Sequence, residues 1–303
     1  MSWTASRGGV TDIVSAARDL LASMRPRQWT KNLVLLAPLI FSARFASSAE
    51  IVRAMAGFVL FCAISGAVYL INDVHDVESD RLHERKRARP IAAGRISASA
   101  ALATAVGVSV LAIALSLALS WEFGLAATAY LVLQMAYTFF LKDQVILDVM
   151  SISAGFVLRA AAGALAIGVA LSPWLLSCAA LLALFLALGK RRHELLLLEA
   201  GATSHRKSLG EYSSQYIDQL VSAVTAATIM AYAMYTFFSP TSQAHQYLML
   251  TVPFVVYGMF RYLYLVHQKN LGGNPEEILL SDKPLMIDIA LFTAVAIVAV
   301  LVR

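Results

Sequence analysis

The sequence predicts an all-α, polytopic membrane protein. Of its 303 residues, 59% are hydrophobic and 14% are charged, whereas soluble domains average about 45–50% apolar and about 25% charged residues. Nine apolar segments are long enough to cross, or nearly cross, the ~30 Å core of a bilayer. Backbone polar groups in lipid must be satisfied internally, so these segments are expected to be helices, and none alternates like a β-barrel strand. This composition excludes a water-soluble globule and a disordered chain.

The predicted spans divide the chain into two parts. Residues 1–31 are expected to form a cytoplasmic or interfacial segment without a cleavable signal peptide, and residues 32–303 a single transmembrane catalytic domain. The first span is short and contains Pro38. The two cysteines, Cys62 and Cys178, both lie in apolar runs and are expected to stay free. The predicted spans are 32–47, 50–71, 97–119, 122–141, 145–170, 173–189, 217–238, 247–266 and 285–302.

Basic residues are concentrated at one end of the predicted bundle. Three long polar loops share this end, at residues 72–96, 190–216 and 267–284. The opposite end has only Arg44, Arg53 and Arg303. Because basic loops face the cytoplasm, the sequence predicts a nine-helix bundle with a polar cavity that faces the cytoplasm.

The strongest chemical motif is an acidic stretch at residues 72–80, directly after the second span. Asp73, Asp76 and Asp80 share one face if the helix continues past the membrane edge. Three like charges on one face favour a bound cation, and Mg²⁺ takes carboxylates together with substrate phosphates. The sequence therefore favours a Mg²⁺–diphosphate site, and the alternative is a solvated acidic helix end.

Two basic groups lie near this acidic stretch in the predicted topology. Lys86, Arg87 and Arg89 follow it directly, and Lys190 and Arg191 close the sixth span. Arginine binds phosphate bidentately, so both groups suit a phosphorylated substrate. The alternative is ordinary positive-inside charge in contact with anionic lipid. Lys190, in the second group, is one helical turn from Glu194, and at this spacing the two side chains can pair.

Arg159 is a charge inside an apolar helix, which is costly and suggests a functional site. Binding of a substrate phosphate and a structural bridge between helices are equally favoured roles. Asp148 lies about three turns earlier on nearly the same face and is a candidate second metal carboxylate. Lys31 and Asn32, at the start of the first span, are expected to face the polar cavity.

Several stretches together resemble the UbiA superfamily of intramembrane transferases. The NDxxDxxxD pattern at residues 72–80 is similar to the first aspartate-rich motif of that superfamily. The chain looks closest to its decaprenyl-phosphate phosphoribosyltransferase branch. The stretches that carry this similarity are residues 25–32 (RPRQWTKN), 86–94 (KRARPIAAG), 155–160 (GFVLRA) and 189–191 (GKR), with Glu194.

The resemblance implies a Mg²⁺-dependent glycosyltransferase in a bacterial-type inner membrane, with its active site facing the cytoplasm. The donor would be 5-phosphoribosyl-1-diphosphate and the acceptor a polyprenyl phosphate, giving polyprenylphosphoryl-5-phosphoribose for the cell envelope. The implied catalytic residues and metal ligands are Asp73, Asp76 and Asp80, with Asp148 as a further ligand. The implied substrate-binding residues are Lys31, Asn32, Asn72, Lys86, Arg87, Arg89, Tyr137, Lys142, Arg159, Lys190, Arg191 and Glu194.

One departure from the superfamily pattern concerns its second aspartate motif, DxxxD. The stretch at residues 142–148 has a five-residue step instead, so Asp143 is doubtful and only Asp148 is well placed. This reduced acidic cluster is consistent with a donor other than a prenyl diphosphate.

Two other functions stay open. One is transfer of a prenyl group from a prenyl diphosphate to an aromatic acceptor, and the other is a transporter or channel. The second is disfavoured because the polar residues gather at one face rather than along a midplane pathway. Membrane lipid is the expected surrounding partner, no nucleic acid is expected, and the oligomeric state is left open.

Overall fold

The structure is a computed structural model that describes residues 7–42, 47–84, 86–199, 207–239, 242–243, 245–269, 271–273 and 275–302. The described residues contain helices and no strand, which confirms the all-α prediction. The α-helices are α1 (Arg7–Ser23), α2 (Ala37–Phe41), α3 (Ser48–His75), α4 (Val77–Leu82), α5 (Ala98–Leu119), α6 (Trp121–Phe139), α7 (Leu147–Ala166), α8 (Pro173–Glu199), α9 (Ser214–Phe238), α10 (Val252–Gln268), α11 (Pro275–Ser281) and α12 (Lys283–Leu301).

Seven helical segments in the described residues are long and apolar enough to cross a membrane. They are α3, α5, α7, α9, α12, residues Pro173–Leu198 of α8, and α10 together with the 3₁₀ helix that precedes it (Gln246–Gln268). The predicted fourth span is also a helix, α6, but it contains Glu122 and Gln134 and is not among the seven. The count of nine spans therefore stays a prediction.

The predicted first span is not a single long helix. Residues Pro26–Leu36 form a 3₁₀ helix, and the five-residue α2 follows. The backbone packs tightly against α7, since a Cβ atom added to Gly163 would lie 1.9 Å from the carbonyl oxygen of Leu35. Irregular backbone is tolerated at membrane depth where protein covers it, which explains this departure from a regular span.

The predicted polar loop at residues 190–216 is also shorter than expected. Helix α8 runs on to Glu199. Residues 190–199 are mostly Lys, Arg, Glu and Leu, which have high helix propensity, and they contain neither glycine nor proline. The continuing helix therefore extends into the stretch that was predicted to be a polar loop.

Helices α3 and α7 lie at the centre. In an apolar 18-residue stretch of each, 56% of the residues are buried, against 22–33% in the corresponding stretches of the other spans. One apolar cluster joins α3 to α5, α6 and α7 and includes Phe61, Phe123 and Tyr130. Another joins α7 to α8, α9 and α10 and includes Phe185 and Met259. Helix α7 therefore contributes to both halves of the core.

The ion pairs identified in the described residues lie at one end of the bundle, which we call the polar end. They join the second halves of α3, α8 and α10 to the first turns of α4, α7 and α9 and to the connections before α7 and α12. At the opposite end, Arg53 donates hydrogen bonds to the carbonyl oxygens of Leu119 and Ala166, at 3.2 and 2.8 Å. It thereby satisfies carbonyls at the ends of α5 and α7, which accounts for a basic residue on that side.

Candidate functional site at the polar end

The acidic cluster, defined as Asp73, Asp76 and Asp80, lies where α3 passes into α4. Helix α3 ends at His75, and Asp76 stands between the two helices. The turn continues through this junction, because the Asp76 amide donates to Asn72 and the Asp80 amide donates to Asp76, both at 2.9 Å. Asp73 and Asp80, seven residues apart, are both buried and face the same neighbour. The expected common face is thus confirmed for these two residues.

Arginines already neutralise this face. Nη1 of Arg89 lies 3.1 Å from Oδ1 of Asp73 and 2.5 Å from Oδ2 of Asp80, so one cationic group bridges both carboxylates. Arg25 forms a second ion pair with Asp73 and stacks over the ring of Tyr69, 4.7 Å from its centroid. Nζ of Lys86 lies 3.9 Å from Asp80.

Asp76 points to a different partner. Nζ of Lys142 donates to Oδ1 of Asp76 at 2.8 Å, and Asn72 donates to Oδ2 at 3.0 Å. Nδ1 of His75 lies 2.8 Å from Oδ1. Burial raises the pKa of the Asp76 carboxyl, but the hydrogen bonds from Lys142 and His75 outweigh it and leave the pKa below its usual value. Asp76 is therefore ionised at neutral pH.

The loop after α4 folds back and places Arg89 beside Asp73 and Asp80. Arg81 donates from Nε to the carbonyl oxygen of Ala92 at 3.3 Å, and the amides of Arg95 and Ile96 donate to the carbonyl of Pro90. Gly94 has a φ of 74°, in the left-handed region that glycine adopts without strain. Pro90, Ile91 and Ala92 are buried, which anchors the loop beside the acidic cluster.

A second polar group surrounds Asp148 in the first turn of α7. Asp148 is fully buried, and its Oδ2 lies 2.8 Å from Nε of Arg191, which is itself 1% exposed. The hydroxyl of Tyr212 donates to Oδ1 at 3.0 Å. Arg191 also forms an ion pair with Glu194. Burial, outweighing the hydrogen bond from the Ile146 amide, raises the pKa of Tyr212 to about 12, so its hydroxyl keeps its proton at neutral pH.

Arg159 forms the deepest polar group. It is 7% exposed, and it donates to Oδ1 of Asn32 at 2.7 Å and to the hydroxyl of Tyr130 at 2.6 Å. Its guanidinium also lies 4.6 Å from the ring centroid of Tyr130 and 5.1 Å from that of Phe156. Ser65 contacts both Asn32 and Tyr130, at 3.4 and 3.3 Å. In the described part of the chain, no carboxylate forms an ion pair with Arg159.

The structure thus divides the predicted site residues among three places. The acidic cluster gathers Asn72, Asp73, Asp76, Asp80, Lys86, Arg89 and Lys142. The group around Asp148 takes in Arg191 and Glu194, and the deep group joins Asn32 to Arg159. Arg87 is exposed on the loop after α4, whereas Lys31, Tyr137 and Lys190 are half-buried on the 3₁₀ segment, α6 and α8.

Several residues of these groups were not predicted as site residues. Arg25 lies in the RPRQWTKN stretch, but only its contact with Asp73 reveals its role. Tyr130 precedes Tyr137 by two helical turns on α6, which is a signal that could have identified it. Tyr212 gave no signal, because its partners Ile146 and Asp148 are more than sixty residues away in the sequence.

Two of the predicted carboxylates, those of Asp73 and Asp80, suit a Mg²⁺ ion, but the four predicted aspartates together do not. Among the described residues, no group of three or more His, Cys, Asp or Glu side chains is close enough to hold a metal ion. The predicted four aspartates therefore do not form one ligand group, since Asp148 is held by Arg191 and Tyr212. Asp73 and Asp80 do share one cationic group, and two carboxylates with substrate phosphates are a common Mg²⁺ environment.

Comparison with known proteins identifies the family that this chain resembles. The model of the UbiA prenyltransferase family matches residues 33–276. The decaprenyl-phosphate phosphoribosyltransferase of Corynebacterium glutamicum is 38% identical over 278 residues, covering 89% of this chain and 83% of its own. The protein of the same name from Mycolicibacterium smegmatis is 36% identical over 281 residues, covering 88% of each chain.

Solved structures agree on the fold. A UbiA homologue from Archaeoglobus fulgidus bound to GPP and Mg²⁺ superposes with a TM-score of 0.71, covering 94% of this chain and 100% of that one. The same homologue bound to DMAPP and Mg²⁺ gives 0.70 over the same coverage. At 20% and 18% identity, these two similarities show a shared fold only.

Proposed function

The chain belongs to the UbiA prenyltransferase family, and from that premise we propose that it is a Mg²⁺-dependent phosphoribosyltransferase. It transfers the 5-phosphoribosyl group of 5-phosphoribosyl-1-diphosphate to a polyprenyl phosphate and releases diphosphate. The product, polyprenylphosphoryl-5-phosphoribose, is a lipid-linked sugar precursor for the cell envelope. This proposal rests on the similarity to the two decaprenyl-phosphate phosphoribosyltransferases, which extends over more than four fifths of each chain.

The donor's diphosphate is assigned to the acidic cluster. Asp73 and Asp80 would hold Mg²⁺ on the diphosphate, with Asp76 beside them, and Mg²⁺ would neutralise charge on the leaving group. Arg89 already bridges two of these carboxylates and is within reach of any phosphate that approaches them. Lys86 and Arg87 lie on the same exposed loop and add positive charge for the donor.

Asp148 and Arg191 receive supporting roles in this proposal. Both are buried, and each already satisfies the other's charge. Breaking a buried pair to use either member alone leaves an uncompensated charge, which is strongly unfavourable. Their contacts favour a structural link between α7 and α8 over direct binding of metal or phosphate. Lys190, which is half-buried on α8, remains the proposed phosphate contact of that helix.

The acceptor's phosphate is assigned to the deep group around Arg159. This guanidinium has two hydrogen-bond acceptors but no ion-paired carboxylate in the described residues, and a phosphate monoester would supply the missing negative charge. Asn32 and Tyr130 orient the guanidinium, while Lys31 and Tyr137 are proposed to line the path toward the polar end.

The chemical step follows from these assignments. An anionic oxygen of the acceptor phosphate forms a bond to C1 of the ribose, while the bond between C1 and the diphosphate oxygen breaks. The bonding electron pair leaves with the diphosphate. Because the nucleophile is already anionic, no side chain has to remove a proton, and we assign no general base. The basic residues of the polar end hold the two anionic substrates in position.

The protein is an integral membrane protein, and we propose the bacterial inner membrane with the polar end in the cytoplasm. The support is the distribution of basic residues, which gather at the polar end. A water-soluble donor would then enter from the cytoplasm, and the acceptor's chain would remain in the lipid.

The test uses the purified protein in lipid nanodiscs with labelled 5-phosphoribosyl-1-diphosphate, Mg²⁺ and decaprenyl phosphate. The expected result is a labelled lipid whose mass equals the acceptor plus a phosphoribosyl group, and chelation of Mg²⁺ should abolish its formation. A parallel reaction contains geranyl diphosphate and 4-hydroxybenzoate. Consumption of geranyl diphosphate while the phosphoribosyl donor stays intact would contradict the proposal and favour prenyl transfer.

A further inference from the structure

The connection between α6 and α7 contains a strained turn beside the acidic cluster. Ile146 has φ 69° and ψ −46°, and the amide of Leu147 donates to the carbonyl of Val145 at 2.8 Å. This is the geometry of a classic γ-turn, which is rare and strained. A positive φ is especially unfavourable for a β-branched residue such as isoleucine. Such a conformation persists only where its surroundings hold it.

Tyr212 supplies that constraint through a single hydroxyl group. Its oxygen accepts a hydrogen bond from the Ile146 amide at 2.7 Å, and its proton is donated to Oδ1 of Asp148 at 3.0 Å. The other oxygen of Asp148 faces Arg191. The hydroxyl therefore joins the centre of the strained turn to the first turn of α7, and both of its hydrogen-bonding functions are used.

The segment at residues 207–212, which contains Tyr212, also contacts the other end of the α6–α7 connection. Ser208, which is fully buried, donates from Oγ to the carbonyl oxygen of Lys142 at 3.2 Å. The side chain of Lys142 reaches back to Asp76 at 2.8 Å. The segment at residues 207–212 thus holds the connection at Lys142 and at Ile146, four residues apart.

We propose that Tyr212 is a positioning residue, which holds the α6–α7 connection so that Lys142 meets Asp76 in the acidic cluster. The inference deepens the proposed function, because it assigns the geometry of the donor site to a residue that touches no substrate. Phenylalanine at this position would keep the ring contact and lose both hydrogen bonds, so this substitution separates the role of the hydroxyl from that of the ring.

The test compares Tyr212→Phe with Tyr216→Phe as the matched control. Tyr216 stacks on Tyr212, with ring centroids 6.2 Å apart, and the control removes a hydroxyl from the same aromatic pair. Hydrogen exchange at the Ile146 amide, measured in peptides that cover residues 142–148, should be about tenfold faster in Tyr212→Phe, because that amide loses its hydrogen bond. It should be unchanged in Tyr216→Phe. Ser208→Ala should accelerate exchange in the same peptides. Unchanged exchange in Tyr212→Phe would overturn the proposal.

A second measurement separates positioning from simple stabilisation. If Tyr212 acts through Lys142, the loss of melting temperature caused by Tyr212→Phe should shrink in a Lys142→Met background. Strictly additive losses would overturn the proposal. Neither measurement requires substrate, so a failure of phosphoribosyl transfer in the wild type would refute the proposed function without deciding this inference. In the active enzyme, Tyr212→Phe should raise KM for the donor severalfold with KM for the lipid unchanged, and an unchanged donor KM would count against it.

Discussion

Replacing Arg159 with methionine separates the two roles that this buried charge can have. Methionine keeps the length and apolar character of the side chain, so the packing of α7 is largely preserved. The change removes the donors to Asn32 and Tyr130 and the contact of the guanidinium with the ring of Phe156. Asn32 and Tyr130 each retain Ser65 as a partner, at 3.4 and 3.3 Å.

The expected change in the free energy of unfolding is small. Two hydrogen bonds from a charged donor are worth about 1.5–3 kcal/mol each. Against that loss, the variant no longer buries a guanidinium that lacks a carboxylate partner, a cost of several kcal/mol for a buried ion. These two contributions offset each other, so the stability of Arg159→Met should stay within about 2 kcal/mol of the wild type.

The expected loss of activity is large. Two hydrogen bonds from Arg159 to the acceptor phosphate would contribute about 3–6 kcal/mol to the bound transition state. Each 1.4 kcal/mol is a factor of ten, so kcat/KM for the lipid acceptor should fall by about 10²–10⁴. KM for the phosphoribosyl donor should change much less, because the donor is assigned to the polar end.

The assay combines thermal unfolding in nanodiscs with steady-state transfer, and Arg53→Met is the matched control. Among the described residues, Arg53 donates only to the carbonyl oxygens of Leu119 and Ala166, at the far end of the bundle. It should therefore lower stability while leaving kcat/KM per folded molecule unchanged. The substrate role of Arg159 is refuted if Arg159→Met shows the same behaviour as this control.

Four further outcomes are expected. Asp73→Asn should abolish transfer without unfolding the bundle, and near-normal turnover at subsaturating Mg²⁺ would contradict its assignment. Lys190→Ala should raise KM for the donor about tenfold, the effect of one lost charge-assisted contact, and should change KM for the lipid less. Calorimetry should show the preformed Mg²⁺–diphosphate complex binding to the protein at least about tenfold more tightly than free Mg²⁺, and equal affinities would contradict joint binding. Hydrogen bonds from Arg261 lower the pKa of Asp282. The wild type should therefore melt at a higher temperature than Asp282→Asn above about pH 4, and this difference should be lost as the pH falls below the ordinary carboxyl range.

The long spans were predictable because lipid imposes a length and a composition on them. The predicted boundaries of the segment at residues 97–119 agree with helix α5 to within a residue. The first segment was harder, because apolar composition alone does not distinguish a lipid-facing helix from a buried 3₁₀ segment. Only the small residues of α7, which let the backbone of Leu35 approach Gly163, explain the difference, and their partner is more than one hundred residues away.

The acidic cluster was recognisable from its spacing, and so was the basic run with Lys86 and Arg89 that follows it, but the pairing of Arg25 with Asp73 was not. Repulsion among three aspartates favours a bound cation, and the sequence alone suggests Mg²⁺ as that cation. In the structure, Arg25 and Arg89 already relieve that repulsion at Asp73. Arg25 lies 48 residues before its partner, and no local pattern indicates the contact. Charge repulsion alone is therefore insufficient evidence for a metal, and the case for Mg²⁺ rests on the donor's diphosphate.

The balance of charge in this cluster bears on the order of binding. Four basic side chains, Arg25, Lys86, Arg89 and Lys142, pair with the three aspartates, which leaves an excess of one positive charge. Free Mg²⁺ would enter a site whose own cations oppose it, whereas a Mg²⁺–diphosphate complex carries net negative charge and is attracted. The arginines would then turn from the carboxylates to the phosphates as the metal takes their place. Metal and donor should therefore bind together, which is why the comparison of Mg²⁺ with and without diphosphate discriminates between this arrangement and a preformed metal site.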